Sequence, residues 1–407
     1  MSSAAESQTQ DQLPLAGIRV VEFTHMVMGP TCGMVLGDLG ADVIKIEPLV
    51  GDNTRRLKGS GAGFFPMFNR NKKSLPVNLK DPRGRELVLK LIGTADVVSE
   101  NFKAGTMAKN GLDYETLRKL NPRLVYVSHK GFLPGPYDHR TALDEVVQMM
   151  GGLAYMTGPS GQPLRAGAAV NDIMGGVFGA LGAIVSLFER QRTGVGQEVQ
   201  SALFENNVFL VGHHMMQQAV TGLAPSPMPS RISAWAIYDV FTVKDGEQIF
   251  LAVVSDTQWE IFCRAFGFDD LSRDARLITN NQRVEARPWL MPDIRTRLGS
   301  MSKQELADNF ERHGLPFAPI ARPGDLFDDI HLKETGGLAR VSLPDGEKAG
   351  NDTYTPLLPF TLGGRRPGVR HQPPRLGEKG HELLTRLGLS ESEISNLAAE
   401  GVIGTVS

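Results

Sequence analysis

Cysteine is scarce in this chain of 407 residues, which carries only Cys32 and Cys263. Two thiols far apart in the sequence form neither the paired spacing of a zinc site nor the framework of a disulfide-stabilised secreted domain. We therefore expect a protein without a bound metal, located in the reducing environment of the cytoplasm.

An excess of charge and a long hydrophobic run are also missing. The net charge of −2 is typical of a protein without a nucleic-acid partner. The most apolar stretch, residues 173–188, is shorter than the roughly 18 residues that span a bilayer, so we expect a buried helix and no membrane contact. Residues 1–14 are polar and lack the apolar segment of a signal peptide, which predicts a disordered N-terminal tail.

What the sequence does contain is an alternation of apolar strands and helices. Strands are predicted over residues 18–23, 43–46, 96–98 and 124–127, with helices over 31–39, 83–94 and 114–120 between them. This order predicts an α/β fold with an open parallel sheet, in which ligands bind beyond the carboxyl ends of the strands. These units contain neither a Walker A motif nor a GxGxxG motif, so a dinucleotide fingerprint is not supported.

The pattern changes near residue 225. Residues 221–229 are rich in proline, glycine and serine, which predicts a linker. Beyond it, two strands flank the hairpin signal Lys244-Asp245-Gly246, and helices are predicted over 257–266, 288–298 and 303–313. We predict a small α+β domain over residues 228–322 and a large domain formed by residues 15–225 and 323–407.

One carboxylate, Asp172, stands at the start of a long apolar helix, with glycines on both sides of it. An acid near the positive end of a helix, beside backbone that glycine lets a substrate approach, is suited to act as a nucleophile. The alternative is that Asp172 is only an N-cap, because aspartate often satisfies the first free N–H groups of a helix.

Other candidate residues lie near the predicted strand ends. His25 follows the first strand, where ligands gather, although a lone histidine is more often structural. Asp144 follows a turn and is either a second acid or a helix N-cap. Asn69–Ser74 is basic and rich in amides, which predicts either a phosphate-binding loop or a solvated surface loop.

Taken together, these segments resemble the class III CoA-transferases, the superfamily that includes formyl-CoA transferase, carnitine CoA-transferase and α-methylacyl-CoA racemase. The resemblance runs from about Leu15 to Ile403. Its most specific segments are residues 15–23 with Gly29-Pro30, residues 39–48, Asn69–Ser74 with Asp81-Pro82, Glu100-Asn101-Phe102, Gly194–Gln197, residues 375–378 and residues 400–403.

The resemblance implies a large Rossmann-like domain, a small α+β domain and two chains interlocked as a homodimer. It implies that Asp172 is the catalytic aspartate, which forms an acyl anhydride and then an aspartyl-CoA thioester. A CoA thioester would be a substrate, and no permanently bound cofactor is expected.

The resemblance also carries ligand contacts over by position. His25, Met26, Val27 and Met28 would line the path of the pantetheine arm. The CoA nucleotide or its surroundings would meet Lys80, Asn101, Phe102, Lys109 and Lys130. Arg140 and Arg165, near the two acids, would bind the distal carboxylate of a substrate or form ordinary surface pairs.

At two points the sequence differs from particular members of the superfamily, and these differences reduce the number of candidate reactions. Val27 replaces a glutamine of formyl-CoA transferases and their glycine-rich lid loop has no counterpart, which disfavours formyl and oxalyl chemistry. Leu143 replaces a histidine that α-methylacyl-CoA racemases place before the acid equivalent to Asp144. We predict an acyl-CoA:carboxylate CoA-transferase that uses succinyl-CoA and a small dicarboxylate such as mesaconate, itaconate, citramalate or glutarate. The alternatives are an acyl-CoA racemase or epimerase and a non-catalytic CoA-binding protein.

Overall fold

The computed structural model describes residues 13–231 and 233–407, so most of the tail predicted over residues 1–14 lies outside the described residues. The chain divides into a large unit, residues 1–225 with 330–407, and a small unit, residues 226–329. The first crossing between them, at residue 225, falls within the segment predicted as a linker.

The first part of the large unit alternates strands with helices. Its strands are β1 (Arg19–Phe23), β2 (Asp42–Glu47), β3 (Lys72–Pro76), β4 (Val97–Glu100), β5 (Val125–Lys130) and β6 (Glu198–Ala202). Its helices are α1 (Met28–Asp38), α2 (Phe64–Phe68), α3 (Pro82–Gly93), α4 (Thr106–Lys109), α5 (Tyr114–Leu120), α6 (Asp144–Met150), α7 (Leu153–Thr157), α8 (Val170–Thr193) and α9 (Leu203–Thr221).

The six strands form one parallel sheet in the order β3-β2-β1-β4-β5-β6. This is the doubly wound order of Rossmann-like folds, and it confirms the predicted fold class. The four strands predicted from their apolar runs are the central ones, with both faces buried. The edge strands β3 and β6 were missed because KKSLP and EVQSA contain too few consecutive apolar residues to predict a buried strand.

The basic segment Asn69–Ser74 is neither a phosphate loop nor a surface loop, so both sequence predictions for it are wrong. Its last residues form β3, and its cations are buried against acids of neighbouring elements. The Arg70 guanidinium lies 2.7 Å from Asp38, and the Lys72 ammonium lies 2.8 Å from Glu22. Burial lowers the pKa of Lys72 to about 8. These cations are paired inside the large unit and are not available to a phosphate.

Helix α8 lies unusually close to the elements beneath it. A Cβ at any of four glycines would come within 2.5 Å of α1, β5 or β6; these are Gly175, Gly176, Gly179 and Gly182. Only glycine permits this approach, so the helix is held firmly against the sheet and against α1. Within the described ranges α8 is also the one helix long and apolar enough to cross a membrane, as the core helix of a soluble protein can be.

The small unit contains an antiparallel sheet packed against helices. Its elements are β7 (Ile237–Thr242), β8 (Gln248–Val253), α10 (Asp256–Phe266), α11 (Asp269–Ser272), α12 (Asn280–Glu285), α13 (Arg287–Leu298), α14 (Lys303–Arg312) and β9 (Phe317–Pro319). The predicted hairpin joins β7 to β8, and Asp245 and Gly246 adopt the positive φ values of 63° and 75° that its turn requires.

The C-terminal part of the chain returns to the large unit. Its elements are α15 (Ile330–Glu334), β10 (Leu338–Ser342), β11 (Asp352–Pro356), α16 (Gly380–Arg386) and α17 (Glu391–Ala399). The segment joining β11 to α16 runs beside β3, where the N–H groups of Asn71 and Ser74 bond to the carbonyls of His371 and Glu378. This contact covers the exposed side of the edge strand.

Candidate active site

The crevice of the large unit lies where the strand order reverses, between β1 and β4. These two strands pair directly, and their connections leave in opposite directions along the sheet. A parallel sheet binds ligands beyond the carboxyl ends of such strands. The residues at this position are His25 and Met26 after β1, and Asn101 and Phe102 after β4.

The Asn101 side chain holds the loop after β1. Its Oδ1 accepts the N–H of His25 at 3.0 Å, and its Nδ2 donates to the carbonyl of the same residue at 2.8 Å. Met26 next adopts a left-handed conformation, with φ of 62°, and its N–H donates to the Thr54 hydroxyl at 2.9 Å. A non-glycine residue held there costs about 1 kcal/mol or more, and such strain is typical of ligand-binding loops.

The predicted pantetheine contacts separate into two pairs. His25 and Met26 are exposed, and the rings of His25 and Phe102 are 5.7 Å apart. Neighbouring atoms still desolvate the His25 imidazole enough to lower its pKa. Val27 and Met28 are buried, so they cannot line the path with their side chains and that part of the prediction is corrected. Met28 instead packs against Gly175 of α8.

The residues predicted to contact the CoA nucleotide differ in exposure and in ion pairing. Asn101 and Phe102 are half-buried at the crevice, whereas Lys80 and Lys109 are exposed. The Lys130 ammonium lies 2.6 Å from the Glu100 carboxylate, whose other oxygen accepts the N–H of Phe102. Lys130 is therefore a paired cation, and Phe102 is oriented by the carboxylate that pairs with it.

Asp172 is the third residue of α8, because the helix begins at Val170 with Ala169 as its N-cap. The capping alternative is therefore wrong. Across residues 13–231 and 233–407, no hydrogen bond reaches the Asp172 carboxylate, which is half-buried. Burial, followed by the negative charge of Asp144, raises its pKa from 3.8 to about 7. A carboxylate in this state is a stronger base than an ordinary aspartate and is not held by any donor.

The cap of α8 comes from Asp144, the buried first residue of α6. Its Oδ2 accepts the N–H of Asn171 at 2.8 Å and that of Asp172 at 3.0 Å. The Gln148 amide donates to its Oδ1, and the Gln148 carbonyl oxygen accepts the N–H of Ala166 at 2.8 Å. Sequence analysis missed Gln148, although a polar residue four positions after Asp144 on a short helix was a visible signal.

Two features at the start of α8 are not available to a substrate. The N–H groups of Asn171 and Asp172 bond to Asp144, so they are not free to stabilise an oxyanion. A Cβ at Gly176 would lie 2.4 Å from the Met28 carbonyl oxygen, so this glycine serves helix packing and not substrate approach. Gly167, in contrast, has open space beside it.

The two predicted carboxylate-binding arginines lie in different surroundings. Arg165 forms an ion pair with Glu145, the neighbour of Asp144 on α6. The Arg140 guanidinium is exposed and lies over the ring of Tyr137, 4.2 Å from its centroid. Arg140 therefore has the freer charge. Within the described residues, no group of three or more His, Cys, Asp or Glu side chains could hold a metal ion.

The sequence matches CoA-transferase family III over residues 15–380. A succinate–glutarate CoA-transferase of Agrobacterium fabrum is 35% identical over 92% of this chain and 96% of its own length. An acetyl-CoA:oxalate CoA-transferase of Acetobacter aceti is 33% identical over 93% of this chain and 97% of its own. A crystal structure of a CaiB/BaiF family protein from Brucella suis matches with a TM-score of 0.80 and 33% identity, over 92% of this chain and 99% of that one.

The chain therefore belongs to CoA-transferase family III, as its sequence motifs predicted. It is a CoA-transferase, an enzyme that moves CoA from an acyl-CoA thioester to a carboxylic acid.

Proposed function

We propose that the protein transfers CoA from succinyl-CoA to a small dicarboxylic acid through covalent intermediates on Asp172. One observation carries the proposal. The Asp172 carboxylate is half-buried, accepts no hydrogen bond from the described residues, and has a pKa raised to about 7. It lies one helical turn from the contact of Gly175 with Met28. Met28 lies two residues after Met26 of the loop that follows β1, which supports a position of the acid near the crevice where a CoA thioester would bind.

The first half of the reaction loads CoA onto the enzyme. A carboxylate oxygen of Asp172 attacks the thioester carbonyl, the C–S bond breaks, and the CoA thiolate leaves with the electron pair. The thiolate then attacks the Asp172 carbonyl of the mixed anhydride, and the donor acid departs as its carboxylate. An aspartyl-CoA thioester remains, so one difficult exchange is divided into easier steps.

The second half repeats these steps in the opposite sense. The acceptor carboxylate attacks the aspartyl thioester and releases the thiolate, which leaves a second mixed anhydride. Attack of the thiolate on the acceptor carbonyl forms the new acyl-CoA and restores the Asp172 carboxylate. The half-buried position of Asp172 supports this route, because water would otherwise hydrolyse the anhydride.

The choice of substrates rests on the relatives and on one free cation. The Agrobacterium fabrum relative is named for succinate and glutarate, which are both dicarboxylic acids. Arg140, which forms no ion pair with an acid in the described part of the chain, is suited to bind the distal carboxylate. The sequence prediction against oxalyl chemistry stays untested, and the Acetobacter aceti relative makes oxalate a necessary member of any substrate panel.

We also propose that the protein acts as a cytoplasmic homodimer. An apolar stripe at helical spacing on the outer side of α8 supports the dimer; its residues, 45% to 76% exposed, are Val177, Leu181, Val185 and Phe188. A contiguous row of exposed apolar side chains is typical of an interaction surface. Light scattering of the purified protein would measure the assembly directly.

The test combines substrate exchange with trapping. Succinyl-CoA is mixed with glutarate, mesaconate, itaconate, citramalate or oxalate, and new acyl-CoA species are identified by mass spectrometry. Hydroxylamine, added with succinyl-CoA alone, should convert the Asp172 carboxyl into a hydroxamate. Asp172→Ala should abolish exchange and trapping, whereas the matched control Glu189→Gln, at a half-buried acid that pairs with Arg192 at the far end of α8, should retain both.

Two results would contradict the proposal. Full exchange activity in Asp172→Ala would remove the covalent mechanism. Incorporation of deuterium at the α-carbon of a 2-methylacyl-CoA, without any acceptor acid and without exchange, would indicate a racemase instead.

A further inference from the structure

We propose that Asp144 and Gln148 form a clamp that fixes the first turn of α8 and keeps hydrogen-bond donors away from the nucleophile Asp172. Both are positioning residues in this proposal and neither touches substrate. The inference rests on the proposed role of Asp172 and assigns to Asp144 a task different from that of a second acid.

The geometry of Asp144 argues against acid–base work. Its Oδ2 is occupied by two backbone N–H groups and its Oδ1 by the Gln148 amide, and the residue is buried. These three hydrogen bonds occupy both oxygens of the buried carboxylate, so neither oxygen is directed at a substrate. Asp144 does, however, cap a helix on another segment of the chain, by accepting the N–H of Asn171, 27 residues further on.

The cap formed by Asp144 takes backbone N–H donors away from the Asp172 carboxylate. An acid in the first turn of a helix is normally stabilised as an anion by the free N–H groups and by the helix dipole. Here two of those N–H groups, including that of Asp172 itself, point to Asp144. Asp172 therefore keeps a half-buried carboxylate that no donor among the described residues bonds, beside a second negative charge, which makes its ionised form more basic and more nucleophilic.

Other charged groups around α8 are paired or carry no comparable influence. The elements packed against the helix are α1, α6, α9, β5 and β6. Their titratable side chains, apart from Asp144, are Cys32, Asp38, Glu145, Glu205, His213, His214, Tyr126, His129, Lys130 and Glu198. Asp144 is the one charge among them that acts on Asp172.

Gln148 completes the clamp from within α6. It is fully buried, and its two hydrogen bonds join the Asp144 carboxylate to the backbone of Ala166 in the segment that leads into α8. A buried amide with both ends occupied fixes the rotamer of its partner and the path of that segment. Loss of Gln148 should therefore loosen Asp144 without removing its charge.

The experiment measures how fast Asp172 becomes acylated at different pH values. Wild type, Asp144→Asn, Gln148→Met and the control Glu189→Gln are mixed with succinyl-CoA between pH 5 and 9. Each sample is then quenched into hydroxylamine at one fixed pH, and the Asp172 hydroxamate is quantified by peptide mass spectrometry. Circular dichroism and thermal unfolding establish that each variant is folded.

The ionised form of Asp172 attacks, so the wild-type rate should fall as the pH drops below about 7. Asn at position 144 can still accept the two N–H groups but lacks the charge, so the acid limb should move down by roughly one pH unit. Gln148→Met should lower the rate roughly tenfold without moving the limb downward, because the Asp144 charge remains. The control should match wild type.

Three outcomes would overturn the clamp. An unchanged acid limb in folded Asp144→Asn would mean that its charge does not act on Asp172. Loss of acylation at every pH in that folded variant would assign Asp144 a direct chemical role. A wild-type acylation rate in Gln148→Met would show that Gln148 is not part of the clamp. If wild type itself forms no hydroxamate, the proposed function fails before the clamp is in question.

Discussion

Asp172 should destabilise the folded protein at neutral pH, and this cost can be measured without any substrate. Its pKa rises from 3.8 to about 7 on folding, so the folded state prefers the protonated form. The stability that the protonated group contributes is complete below pH 3.8 and is lost as the pH rises towards 7. Replacing Asp172 with asparagine removes this loss, so the variant should be more stable than wild type.

The magnitude follows from linkage at about 1.4 kcal/mol per pKa unit. Relative to pH values below 3.8, the ionisation of Asp172 should lower the free energy of unfolding of wild type by about 1.7 kcal/mol at pH 5 and by about 4 kcal/mol at pH 8. Both figures are upper limits, because water partly reaches the carboxylate and screens it. The advantage of Asp172→Asn should therefore be larger at pH 8 than at pH 5 by up to about 2.5 kcal/mol.

The assay must observe the large unit, and tryptophan fluorescence does not. Trp235, Trp259 and Trp289 all belong to the small unit, so their fluorescence serves as an internal control. Hydrogen exchange of peptides from β1 and β5 reports the opening of the large unit itself. An equal advantage of Asp172→Asn at pH 5 and pH 8 would refute the reasoning, because it would mean an ordinary pKa.

Three further predictions concern the loop, the helix contact and the buried charges. Asn101→Ala, which frees the loop after β1, should raise the KM for succinyl-CoA roughly tenfold with a smaller change in kcat; unchanged steady-state kinetics would contradict it. Gly176→Ala should destabilise by about 1–3 kcal/mol in chemical unfolding, whereas Gly212→Ala, with open space beside it, should not. Lys72→Met should lower the free energy of unfolding by about 3–5 kcal/mol, and the double variant Lys72→Met with Glu22→Leu should lower it much less. Equal losses in the two variants would show that the pair is not coupled.

The central strands and the helices between them could be predicted because their patterns are local. Helix α5, for example, covers Tyr114–Leu120 in the structure, the range that was predicted. Apolar runs and helix-stopping glycines act over a few residues, so they are visible without tertiary information. The edge strands β3 and β6 could not be found in this way, because an edge strand needs little apolar surface and depends on its neighbour for hydrogen bonds.

The sequence predicted the catalytic type of the site but not how all of its side chains are placed. The motifs and their order led to the family, which the comparisons confirm, and through it to Asp172 as a candidate nucleophile. Two residues were given surroundings that the structure does not support, because Val27 and Met28 are buried. The contact of Lys130 with CoA stays a prediction, since its pairing with Glu100 does not test it. Position in a motif does not determine which way a side chain points once a helix packs above it.

The sequence by itself determined the fold class, the family and the presence of one acid at the start of an apolar helix. It did so because apolar periodicity and motif spacing are properties of short segments. Only the tertiary structure decided which acid caps that helix. Asp144, which lies on another helix 28 residues before Asp172, accepts the N–H groups of Asn171 and Asp172. Hydrogen bonds between distant segments depend on packing. Among the residues that the structure describes, packing gives the Asp144 carboxylate three donors and the Asp172 carboxylate none.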